Sequence, residues 1–87
     1  MLEHEFADFL ASCPEIKSPK AISTRLSKGR AVEKRYSVSL DDITGSDKAM
    51  RAYLERINSD FNNQNGGYSN AVRKYYTFKT GKVFPKL

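Results

Sequence analysis

With 87 residues, one cysteine, 15 lysines and arginines, 10 acids and a formal charge of +5, the chain has room for one modest core and none for a separate catalytic domain. Cys13 cannot form an internal disulfide, no Cys/His spacing matches a zinc site, and no apolar run approaches the roughly 20 residues that span a bilayer. The acidic start (Glu3, Glu5, Asp8) is unlike a signal or transit peptide. The expectation is a cytoplasmic protein with no membrane partner. Residues 1–87 read as a single helical domain, either whole or a piece of a longer protein.

In chain order, Leu2 to about Ser12 sets Leu2, Phe6, Phe9 and Leu10 on one face and its acids outside. That is an amphipathic helix with acids near its positive end, stopped by Pro14. His4 has no partner at the spacing a catalytic or ligand role needs. Ser18-Pro19 places a serine at the N-cap and a proline at the first helical position, so a second helix runs from Pro19 to about Tyr36. Ile22, Leu26, Gly29, Val32 and Tyr36 share one arc of it. The mid-helix glycine, about 1 kcal/mol worse than alanine, predicts a close helix crossing. On the opposite arc Lys20, Thr24, Ser27, Lys28, Ala31, Lys34 and Arg35 mix bases with small residues, which lets a phosphate backbone come near.

Ser39 caps a short helical turn, with Asp42 in the capping-box position and Leu40 and Ile43 as core contacts, ended by Gly45. Ser46 or Asp47 then opens a third long helix with Met50, Tyr53, Leu54, Ile57 and Phe61 as its core stripe. Its outer face is mixed in charge and includes an i,i+4 pair of Arg51 and Glu55. Residues 62–67 (Asn-Asn-Gln-Asn-Gly-Gly) read as a flexible linker. In the last helix Ser69 is the cap and Gly81 the stop. Ala71, Val72, Tyr75 and Phe78 point inward, Arg73 and Lys74 outward, and Tyr76 is expected to be partly exposed. Val83 and Phe84 of the tail should fold back onto the bundle. The fold class is all-α, a small bundle of four main helices plus a short helical turn.

Charge is segregated along the chain. Residues 1–16 carry four acids and no base, 17–35 seven bases against Glu33 alone, 36–67 five acids and three bases, and 68–87 five bases and no acid. Two positive segments that met in space would make a polyanion-binding face; otherwise the same bases simply solvate two helices. No catalytic constellation accompanies them. The glycines match no phosphate-cradling loop, and Asp41-Asp42 diverge by about 100° on a helix, which suits N-capping better than a metal. No cofactor, metal or enzymatic activity is expected. Tyr75 and Tyr76 beside Arg73, Lys74 and Lys79 offer base stacking or phosphate contacts, although one of the two tyrosines has to face the core.

The order of Ser18-Pro19-Lys20-Ala21-Ile22-Ser23, Leu40-Asp41-Asp42-Ile43, Tyr53-Leu54 and the run from Tyr68 to Phe78 resembles the SAM-like N-terminal, core-binding domain of phage integrases and other tyrosine recombinases. Val32-Glu33 and Ala71-Val72-Arg73-Lys74-Tyr75 are also similar to helical modules that accompany restriction or HNH-type nucleases. The resemblance implies a non-catalytic module for phage or recombination-related DNA binding, with two helices lying across duplex DNA beside a separate catalytic domain. Carried onto this chain, those helices are the second and the last. Lys20, Lys28, Lys34, Arg35, Arg73, Lys74 and Lys79 would contact phosphates, with Thr24, Ser27 and Tyr76 closer in, and affinity for duplex DNA would be largely non-specific. The alternative is a protein-interaction or dimerisation module whose basic helices meet an acidic protein partner.

Overall fold

A computed structural model describes residues 1–16, 18–62 and 66–85. Among them are five helices and no strand: α1 (Glu3–Ser12), α2 (Pro19–Tyr36), α3 (Leu40–Ile43), α4 (Asp47–Asp60) and α5 (Gly67–Thr80). The fold is the small all-α bundle expected, four long helices and one helical turn. Residues 63–65, the centre of the segment read as a flexible linker, lie outside the described residues.

Local chemistry accounts for most of the boundaries. Ser18, Ser39 and Ser46 each accept a backbone N–H at 3.1 Å, from Ala21, Asp42 and Ala49, and so cap α2, α3 and α4. Gly81, at φ +74°, ends α5 in the left-handed turn that glycine adopts without strain. The start of α5 differs from expectation. Gly66 is the N-cap and makes no side-chain cap, while Ser69 sits inside the first turn and donates to the Gly66 carbonyl at 3.2 Å.

α2 ends on Ser37 in the left-handed region at φ 54°, a conformation that a residue with a Cβ adopts at a cost of about 1 kcal/mol. Ser37→Gly is therefore expected to stabilise the protein by about 0.5–1 kcal/mol, read as a rise in the urea midpoint at constant m-value.

The core is built from Phe6 and Leu10 of α1, Val32 of α2, Leu40 and Ile43 of α3, Met50, Leu54 and Ile57 of α4, and Val72, Tyr75 and Tyr76 of α5. Ile16 and Phe84 close it from the connecting segments. α5 packs against all four other helices, and its seam with α2 is the most extensive in the bundle. A helix enclosed from several sides needs a wide apolar surface rather than one stripe. That is why Tyr76 is 7% exposed instead of partly open. Its hydroxyl lies 3.2 Å from Asp47 Oδ1, and its ring meets Phe84 edge-on at 5.2 Å. At Gly29 neighbours do come close, but as side chains rather than as a crossing helix: a Cβ there would stand 3.1 Å from Leu40 Cδ1 and 3.4 Å from Met1 Sδ.

Other expectations need correcting. Leu2 precedes α1 and is 45% exposed, and Val83 is 83% exposed although its neighbour Phe84 is buried. Arg51 and Glu55 form no ion pair among the described residues. Arg56 lies instead over the rings of Tyr36 and Tyr53, at 4.4 and 5.4 Å.

Candidate nucleic-acid interface

Of the two basic groups singled out for their charge, the α2 row borders the α2/α5 seam, while none of the bases of α5 lines the groove there. α2 presents Lys20, Thr24, Ser27 and Lys28 along one side of an open groove of about 460 Å³, with Ser23 among them and Ala31 one turn beyond, and Tyr68 of α5 forms the opposing wall. No acid among the described residues lines it. The helical spacing of 20, 24, 27, 28 and 31 puts these side chains in one row, and the small residues leave the row shallow. Lys28 bridges the two helices. Its ammonium sits 4.1 Å from the centre of the Tyr68 ring, and its stem lies so close to Gly67 that a Cβ there would be 3.0 Å from Lys28 Cε. A lysine held over a tyrosine face keeps its charge while losing part of its rotamer freedom. Lys20 and Lys34 are exposed and have no acidic partner among the described residues.

The other candidates are distributed differently. Arg35 lies 3.8 Å from Asp60 and over the Tyr36 ring, at the far end of α2. The same Asp60 accepts the Tyr36 hydroxyl at 2.8 Å, and burial together with that carboxylate pushes the phenol up to about 12. Arg73 and Lys74 do not project freely into solvent. Arg73 donates to the carbonyls of Phe84 and Pro85 at 3.0 and 3.4 Å, and Lys74 pairs with Glu15. Tyr76 is enclosed on the α4 side and presents no face for a base. Arg25, Ser23 and Tyr68 were not singled out as site residues from the sequence. Arg25 sits at the edge between the two arcs of α2, and Tyr68 enters only because of how α5 crosses α2.

Lys79 goes to a different place altogether, the polar hub beside α3. Its ammonium is 3.2 Å from Asp41 Oδ1, which also accepts the Tyr75 hydroxyl at 2.6 Å. The Met1 ammonium lies 2.8 Å from Glu33 Oε2 and 3.4 Å from Asp41 Oδ2, with the Met1 side chain almost fully enclosed. Asp41 thus pairs with two ammonium groups and accepts from one hydroxyl, and the cap of α3 is Ser39. Burial pushes its carboxyl up, but the Tyr75 hydroxyl, Lys79 and the amino terminus outweigh this and hold it below the usual range. Burial likewise pulls the Met1 ammonium down, and Glu33 and Asp41 override it, leaving it raised.

The two shifts act at opposite ends of the pH scale. The stabilisation from Asp41 is present above the unfolded carboxyl value, about 3.9, and disappears as pH falls through the lower folded value. That from Met1 is complete below the unfolded amine value, about 8, and disappears as pH rises through the higher folded value. Thermal melts should therefore give a Tm plateau from about pH 4 to about pH 8 with a fall on either side, and Asp41→Asn should flatten the acid limb. An acid limb identical in Asp41→Asn and the parent would contradict the hub.

Among the described residues no helix is long and apolar enough to cross a membrane. The chain matches no protein-family model, no curated protein and no solved structure. The functional reading therefore rests on the residues and their arrangement.

Proposed function

We propose that the chain is a non-catalytic DNA-binding module that lays the outer face of α2 along duplex phosphates, in keeping with its resemblance to integrase core-binding domains. The observation that carries this reading is the groove, without an acid among the described residues that line it, in which Lys20 and Lys28 alternate with the hydroxyls of Ser23, Thr24 and Ser27. Lysines supply the charge that releases counterions, and hydroxyls donate to phosphate oxygens without reading base identity. Lys34 continues the exposed row. Arg73 adds positive potential from the neighbouring face, while Lys74, Lys79 and Arg35 are engaged by acids of the chain itself.

With two or three phosphates neutralised, the slope of log affinity against log salt should be about −2 to −3. Fluorescence anisotropy on a short duplex should then show affinity falling about ten- to forty-fold between about 50 and about 200 mM salt. Absence of binding at the lower salt, or binding indifferent to salt, would remove this reading.

A further inference from the structure

A second hollow, of about 310 Å³, lies between α2, α5 and the tail, and its chemistry differs from that of the lysine groove. Arg25, Arg73 and Lys74 supply three cations, and Val83 and Phe84 supply an apolar wall. The Arg25 Nε is wholly enclosed and has no hydrogen-bond partner among the described residues. An enclosed N–H without an acceptor is disfavoured and seldom left so in a folded protein. Val83 stands at the rim with 83% of its surface in solvent. Another hollow, walled partly by Leu54, opens on the other side of the same tail and shares Arg73, Val83 and Phe84. The chain already places one carboxylate here, since Glu15 pairs with Lys74.

We infer that this hollow docks an acidic segment of a protein partner, a carboxylate entering toward Arg25 with an aliphatic side chain beside it against Val83 and Phe84. A guanidinium fork matches a planar carboxylate, and the enclosed Nε–H has no hydrogen-bond acceptor among the described residues. The apolar wall separates this from phosphate binding, because a nucleic-acid backbone has nothing to place on an exposed valine. Arg73 is already turned to the Phe84 and Pro85 carbonyls, which fixes the tail as one side of the hollow. The lysine groove is not involved, so the site stands whether or not DNA binds there.

The test uses the full chain labelled with 15N, titrated with an acetylated, amidated peptide of alternating glutamate and leucine. The Arg25 Nε–H cross-peak should move saturably, together with the amides of Asn70 and Thr77. Arg25→Lys, which keeps the charge and removes the Nε–H, should weaken binding by about tenfold. Val83→Ser, at an exposed position that the fold does not need, should weaken it several-fold and keeps the test valid if Arg25→Lys fails to fold. Three results would overturn the inference: an Arg25 peak that stays still, equal shifts from a glutamate–serine peptide, or a duplex DNA that moves the Arg25 peak ahead of the Lys20 to Lys28 amides.

Discussion

Replacing Tyr75 with alanine is expected to lower the unfolding free energy by about 4 kcal/mol, and replacing it with phenylalanine by about 1.5 kcal/mol. Tyr75 is fully buried, meets the Phe6 ring edge-on at 4.9 Å, and packs on Phe78 at 5.3 Å. Alanine removes that ring from the centre of a bundle whose α5 touches every other helix. Against a total stability of about 5–10 kcal/mol for a small domain, the loss is large. Phenylalanine keeps the ring and deletes the hydroxyl, which joins the Leu2 amide at 2.8 Å to Asp41 at 2.6 Å. The Leu2 N–H then loses its acceptor and Asp41 one of its donors. Urea unfolding of both variants measures the two contributions separately. The Tyr75→Phe and Asp41→Asn effects should combine to less than their sum, because each removes the same bond. Strict additivity would mean that the hub does not act as a unit.

The double variant Lys20→Ala/Lys28→Ala is expected to make the salt dependence of duplex binding shallower by about 2 in slope, close to one for each lysine lost. Affinity at low salt should fall uniformly across DNA sequences, since phosphate contacts carry no sequence information. Arg51→Ala, on the mixed outer face of α4, provides the control and should leave the slope in place. Lys20 is exposed, and Lys28 is half-buried over Tyr68, so neither substitution opens a cavity in the core. An unchanged slope in the double variant would move any DNA contact away from the groove. Tyr68→Ala gives a further reading of the same face: freeing Lys28 from the ring leaves its charge and restores its rotamers, so affinity should change less than on losing Lys28 itself.

The contrast between Tyr75 and Tyr76 shows where sequence pattern stops being informative. Adjacent residues on a helix point about 100° apart, and an amphipathic reading allows only one of them inward. Both are buried because α5 is surrounded, a property of how five helices assemble rather than of the α5 sequence. The same cause redirects the charges of α5. Arg73 meets the tail, Lys74 meets Glu15 and Lys79 meets Asp41, so three bases from one basic run face three different neighbours. Charge counting along the chain joins such residues into one patch, while a helix distributes them around its circumference.

The sequence by itself determined the elements and one half of the candidate site. Serine caps, Pro19, Gly81 and the period of apolar residues act locally, and they set α2 at Pro19–Tyr36 and the short α3 at Leu40–Ile43. The row of Lys20, Thr24, Ser27 and Lys28 lies within a single helix, so its common face follows from helical geometry alone. Only the tertiary structure decided that Tyr68 completes the groove, that the Nε of Arg25 is enclosed, and that Asp41 gathers the amino terminus, Tyr75 and Lys79. Each of these joins residues between 34 and 60 positions apart, or sets a side chain against a segment that arrives from elsewhere. Such contacts depend on the crossing of α2 and α5, which is set by packing across the whole core rather than by any one stretch of chain.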